Sequence, residues 1–409
     1  MENRKSFWIS LCLVNLSIVA ILGLILRSKI LFPIPAIDYR NVLSAHSHFA
    51  FGGWVGLCLF TLLVYELLPP EVAAKKKYQW ILAGIEISSL GMAFTFPFVG
   101  YNPISITFSS LYILVSFVFA FVFMKDLLRN ATEGIIRILG PSAIASLVIS
   151  SIGPLGLAYI LISKSGNSLL YRDSIYTFLH FQYNGFFTLS VIALFLNRLV
   201  KKGLELNREV KMFALFLCLS IIPCLFLSLL WHNKPVYYWF AGVGCLLILI
   251  CLYYFFVFLT RLDKKQLFTN RLVRSLWMFS FLSFSLKMIL NAGTIIPSLS
   301  NAVYGDRPVI IGFLHLVFLG FVTFYILSAL VEDGYFSRQD GRPVAAPFIL
   351  FSTGIIINEL ILMLQGLGIL FKTNSYLFNW LLWITAIILF MGALLITITK
   401  HGVQLIKKP

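Results

Sequence analysis

Charge is what this chain has least of. Only 12% of its 409 residues are Asp, Glu, Lys or Arg, whereas an ordinary soluble domain carries roughly 25%. That excludes a water-soluble globular protein. No hydrophilic stretch long enough for a soluble domain interrupts the sequence, there is no low-complexity tract, and no clear repeat of about 20 to 50 residues emerges. The six cysteines, Cys12, Cys58, Cys218, Cys224, Cys245 and Cys251, form no CxxC pair and no CxxCH, which excludes the common thiol redox motif and covalent haem attachment. All six lie in apolar runs and read as small packing residues.

What the chain has in abundance is apolar sequence: 59% hydrophobic residues and a mean hydropathy of +0.92. A helix needs about 20 mostly apolar residues to cross the hydrocarbon, and twelve segments meet that requirement. They run from Phe7 to Leu26, Asn41 to Leu68, Tyr78 to Phe98, Ile104 to Phe123, Ile138 to Ile162 and Ile175 to Leu196, then Met212 to Trp231, Val236 to Leu259, Leu272 to Ile296, Val309 to Val331, Phe348 to Phe371 and Tyr376 to Thr399. The first has no small-residue cleavage site and reads as a span, not a cleaved signal peptide.

The net charge of +16 could point to nucleic acid, but the basic residues fall in short clusters between apolar runs, the pattern that encodes membrane topology. The expected partner is therefore the lipid bilayer, and nucleic acid is not expected. With the N-terminus inside, 23 of the 32 Lys and Arg fall on the cytoplasmic side. The expected fold is all-α: a polytopic membrane protein with about twelve transmembrane helices in one bundle over residues 1–409, both termini cytoplasmic, in the inner (plasma) membrane of a cell.

Five of the six histidines converge when these spans are threaded. His46 lies about five residues below the start of span two, roughly 8 Å deep at 1.5 Å per residue. His180 lies five residues into span six, His315 six residues into span ten, and His232 caps the end of span seven on the same side. Histidine is rare and costly in hydrocarbon, so a layer drawn from four helices suggests a shared ligand, a metal or haem iron. His46 and His48 are turned about 200° apart and cannot share a face; His46 is the favoured ligand of the two. Arg40, Arg172, Arg307 and Lys372 lie just outside this layer, where they could pair with haem propionates. Glu86, Lys287 and Glu359 are buried ionisable groups that could serve a proton path.

These residues carry a resemblance. Histidines on spans two, six, seven and ten of a twelve-span bundle resemble subunit I of the haem-copper oxidase superfamily. The run His180 to Phe187, HFQYNGFF, is similar to span six of the cbb-type oxidases, and Trp231 to Trp239, WHNKPVYYW, to span seven of those enzymes and of nitric oxide reductases. The resemblance implies that His46 or His48 and His315 ligate a haem, and that His180 and His232 hold a second metal, copper or non-haem iron. The ligand set is incomplete. Asn233 stands where the family pairs a second histidine with His232, span ten carries His315 alone, and Tyr183 lies one residue short of the spacing of the cross-linked tyrosine found in some oxidases.

The expected function is that of a haem-binding membrane protein in respiratory electron transfer, or in reduction of a small diatomic such as O2 or NO, served by an electron-donor subunit or cytochrome. The rival readings are a non-catalytic haem- or NO-binding sensor, NnrS-like, and a metal-free multi-pass transporter. The short connection from Asn197 to Lys211 lacks the long central loop often found in six-plus-six transporters.

Overall fold

The computed structural model describes residues 2–130, 134–262, 270–300, 306–337, 344–371, 373 and 375–406. Lys372 and several of the basic residues counted toward topology, Lys264, Lys265, Arg338, Arg342, Lys407 and Lys408, lie outside the described residues.

Among the described residues, twelve helices are long and apolar enough to cross a membrane: α1 (Asn3–Leu31), α2 (Tyr39–Leu67), α3 (Lys76–Val99), α4 (Pro103–Asn130), α5 (Ile136–Ser163), α6 (Ser168–Lys201), α7 (Arg208–Ser228), α8 (Pro235–Arg261), α9 (Arg271–Gly293), α10 (Arg307–Glu332), α11 (Ala346–Gly368) and α12 (Leu377–Gly402). Asx side chains start several of them. Asp38, Asn167, Asn207 and Asn270 accept hydrogen bonds from the backbone N–H three residues on, opening α2, α6, α7 and α9, which satisfies donors that a helix start leaves without an intrahelical partner. One boundary differs from the sequence reading. Span seven was expected to reach Trp231, but α7 ends at Ser228 and the chain continues through short 3-10 turns.

Burial sorts the helices. In α2 and α6 more than four fifths of the most apolar stretch is buried, and α10 follows at 56%, above all the other helices. These three form the centre. Consecutive helices pack against one another around them, and α12 packs on α1 to close the ring. At the middle the rings of Phe51, Phe187 and Phe318 meet, with centroids 4.4 to 5.8 Å apart.

The three central helices share a local device. Each widens into a π-helical stretch: Ala50–Gly56 in α2, Phe181–Phe187 in α6 and Leu316–Thr323 in α10. Their sequences align on a histidine. His48-Phe-Ala-Phe-Gly-Gly-Trp-Val-Gly, His180-Phe-Gln-Tyr-Asn-Gly-Phe-Phe-Thr and His315-Leu-Val-Phe-Leu-Gly-Phe-Val-Thr follow one pattern, an aromatic at the fourth place and glycine at the sixth. The chain thus contains a threefold internal repeat whose period, about 130 residues, far exceeds the 20 to 50 residues of solenoid repeats.

A π stretch disturbs the regular ladder of intrahelical hydrogen bonds, and inside a membrane every backbone carbonyl must find an internal donor. Neighbouring helices supply the donors. Asn15 on α1 donates to the Gly53 carbonyl at 2.8 Å, Lys287 on α9 to the Tyr183 carbonyl at 3.3 Å, and Ser280 on α9 to the Phe321 carbonyl at 2.7 Å.

Candidate functional site

His46 and His315 stand together. The His46 Nδ1 donates to the Val19 carbonyl of α1 at 3.1 Å, and the His315 Nδ1 to the Ile311 carbonyl one turn earlier in α10 at 2.8 Å. A carbonyl can only accept, so each bond fixes the tautomer with the proton on Nδ1 and leaves the Nε2 lone pair exposed. Neither Nε2 has a hydrogen-bond partner among the described residues. This is the arrangement in which an imidazole is held ready to ligate a metal. The two rings lie within electrostatic reach of each other, and Arg27 lies within reach of both.

Deep placement coexists with open surface here. His46 and His315 are surrounded by the bundle yet neither is fully covered. The first part of α10, Arg307–His315, buries no residue at all, whereas nearly all of the following π stretch is buried. His315 therefore sits where the uncovered first part of α10 meets the core.

One face of α1 lies beside His46. Val19, Gly23 and Arg27 recur every four residues and so lie in one row along the helix. Val19 orients His46, and Gly23 makes room for it: a Cβ at Gly23 would stand 3.2 Å from His46 Cε1. Arg27 supplies the positive charge. Its place in the row, one turn beyond Gly23, is the signal in the sequence that could have found it. Arg40 and Arg307, both exposed, sit at the starts of α2 and α10, about 9 and 12 Å along the helix axes from His46 and His315 at 1.5 Å per residue.

His48 looks elsewhere. Its Nδ1 donates to the Ser44 carbonyl at 2.8 Å, and the ring packs on Phe96 at 4.7 Å and Tyr101 at 6.0 Å, on the α3 side of the helix. The H-x-H pair divides between two faces as helical geometry requires.

The other two histidines of the layer have side-chain or backbone partners on Nε2. His180, fully buried, donates from Nε2 to the Ile221 carbonyl at 2.7 Å and accepts from the Asn184 amide at Nδ1, 3.2 Å away. Both nitrogens are used, and no lone pair is left for a metal. His232 lies beyond the end of α7, with Nε2 2.9 and 3.1 Å from the two carboxylate oxygens of Asp173. Trp231 stacks on it at 3.9 Å, and Arg172 lies over that Trp ring at 5.0 Å. Arg172 thus serves this cluster, and Trp231 faces His232. Asn233, the residue standing in place of a second histidine, has a left-handed backbone at φ 54°, a conformation Asn tolerates well; it belongs to the turn into α8. Among the described residues no group of three or more His, Cys, Asp or Glu could hold a metal ion. His180, with both nitrogens bonded, does not fit the second metal that the resemblance implied, while His232 is paired through Nε2 with Asp173. The sequence reading missed Asp173 and the Ile221 carbonyl, partners that only the fold reveals.

Trp54 lies in the core, its Nε1 donating to Thr323 Oγ1 at 3.0 Å and so tying α2 to α10. Trp239 is largely exposed. Glu86 accepts from Asn15, and Glu359 from Asn358 beside it.

No protein-family model matches the sequence, and no curated protein matches it. The fold does have a match. The chain superposes on a chain of a haem-copper terminal oxidase dimer determined by cryo-electron microscopy with a TM-score of 0.67 at 15% identity, covering 99% of this chain and 84% of the other. This protein is a polytopic membrane protein with a haem-copper oxidase-like fold.

Proposed function

We propose that the chain is a haem-binding membrane protein in which His46 and His315 would hold a single haem through Nε2, and that it carries electrons within the cytoplasmic membrane without the second metal of an oxidase. The observation that carries this reading is the pair of unengaged Nε2 lone pairs on α2 and α10, each ring fixed from behind by a backbone carbonyl.

Bound between two imidazoles, a haem supplies reversible one-electron exchange. The residues do the rest. Val19 and Ile311 hold the tautomers and ring planes, and Arg27 places a positive charge beside the site. Arg40 and Arg307 offer guanidinium groups to propionates at the rim. The Phe51, Phe187 and Phe318 cluster closes the floor and keeps water out of the core. A membrane electron donor, a partner subunit or a cytochrome, completes the path.

A reduced-minus-oxidised optical spectrum of the purified protein tests this, together with haem and metal content. One haem per chain with sharp bis-histidine bands, no copper and no carbon monoxide adduct on the reduced protein supports electron transfer. A carbon monoxide adduct would instead favour binding of O2 or NO at an open iron, and a protein that takes up no haem would return the fold to a transport or scaffold role.

A further inference from the structure

At the π stretch of α2, three helices bury a polar cluster that the histidine site does not use. Asn15 on α1, wholly buried, donates one amide hydrogen to the Gly53 carbonyl and the other to Glu86 Oε2 on α3, both at 2.8 Å. That spends both donors of the amide. Asn15 Oδ1 and Glu86 Oε1 are buried too, and neither has a hydrogen-bond partner among the described residues. No ion pair joins Glu86 among the described residues. The titratable groups facing it are the Cys12 thiol of α1, within electrostatic reach, and, beyond it, the Cys58 thiol of α2, to which Cys12 is hydrogen-bonded; no cation compensates a carboxylate here.

Two acceptors without a donor lack one hydrogen between them. Were Glu86 ionised, both oxygens would stay without a donor among the described residues, and the charge would be buried unpaired. The amide and the carboxyl already meet through Nδ2 and Oε2, so a hydroxyl on Oε1 and the free Asn15 side-chain carbonyl would complement each other. We propose that Asn15, the Gly53 carbonyl and Glu86 form a buried proton-binding site, in which Glu86 is the neutral acid and its hydroxyl donates to the Asn15 side-chain carbonyl. Loading the site forms the O–H bond on Oε1 with a proton from water, and unloading breaks it and leaves a carboxylate held by the Asn15 amide alone. Gly53 adjoins Trp54, whose bond to Thr323 ties α2 to α10, so the proton sits one residue from the link between the helices that carry His46 and His315.

Infrared spectroscopy of the full chain in phosphatidylcholine vesicles reads this directly. At neutral pH the wild type should show a carbonyl band of a protonated carboxylic acid that Glu86→Gln removes, while the variant keeps the wild-type melting temperature because its amide still donates to Asn15. Asn15→Ala should move the same band to higher frequency, since its hydrogen bond is gone, and this keeps the test decisive if Glu86→Gln fails to fold. Loss of carboxylate bands, and not of the acid band, in Glu86→Gln would overturn the proposal. So would a wild-type carboxylate signal that responds to sodium chloride at fixed pH, which would mark a cation site.

Discussion

His46 and His315 differ from His180 in one respect that decides their chemistry. All three come from the same layer of the threaded sequence, which ranks them nearly alike. In the first pair a carbonyl takes Nδ1 and Nε2 is left over; in His180 protein groups hold both nitrogens. A buried imidazole with both nitrogens bonded is a structural cross-link, here between α6 and α7, whereas one with a single bond is a ligand in waiting. Depth in the membrane does not distinguish them. Hydrogen bonding does.

The sharpest way to break this comparison is to remove each histidine in turn. His46→Ala or His315→Ala should abolish haem retention through purification, read as the pyridine haemochrome per chain, while His180→Ala keeps the wild-type haem content. Equal loss in all three would mean that the contrast is false. His180→Ala should fail differently, by about 2 to 4 kcal/mol of stability, because it opens a cavity and leaves the Ile221 carbonyl and the Asn184 amide unpaired. Its reduced spectrum, once folded, should be unchanged.

Smaller changes sharpen the picture around His46. Gly23→Val should cut haem occupancy severalfold, since even the first carbon of a side chain would meet the imidazole at 3.2 Å, and Gly23→Ala should do so only weakly as the ring yields by a few tenths of an ångström. Arg27→Gln should leave haem content intact and lower the midpoint potential by tens of millivolts. The sign follows from charge: a guanidinium disfavours the more positive oxidised iron, so removing it favours oxidation. A potential that rises or stays fixed in a redox titration would place Arg27 outside the site.

Much of the architecture was legible because hydropathy is written residue by residue: twelve apolar runs correspond to twelve long helices among the described residues. The repeat around His48, His180 and His315 was equally present in the sequence, but its copies lie some 130 residues apart, and only the three aligned π stretches bring them into register. His180 does not suit the second-metal role for a physical reason. Whether His180 ligates or braces depends on the Ile221 carbonyl, a backbone group on another helix that carries no sequence signature. The end of α7, which carries His232 out of the helix and over Asp173, was hidden in the same way. Arg27 shows the opposite case, a readable residue passed over because the first span was judged by its hydropathy and not by the row Val19, Gly23, Arg27.

The far ends of the same three central helices offer the weakest but cleanest test of the two-sided design. About 27 to 30 Å from the histidines, at 1.5 Å per residue, Glu66 of α2, Arg198 of α6 and Asp333 just beyond α10 form an ion network with Lys5. Arg198 lies 2.6 Å from Glu66 and 2.9 Å from Asp333, and Lys5 2.9 Å from Asp333. Where the histidine end leaves donors open for a ligand, this end closes on itself. Burial alone would push the Asp333 carboxyl up, but Arg198 and Lys5 beside it pull it below its ordinary 3.8. A carboxyl whose folded pKa lies below its unfolded one contributes stability above about pH 4 and loses it as the pH falls through the lower, folded value. Melting temperatures of the wild type should therefore decline below pH 4 more steeply than those of Asp333→Asn. At neutral pH that variant should cost only about 1 kcal/mol, because the site is partly open to solvent. Haem content should not change, since the closed end braces the helices that the open end uses; parallel loss of haem in Asp333→Asn would show that the two ends are one cooperative unit.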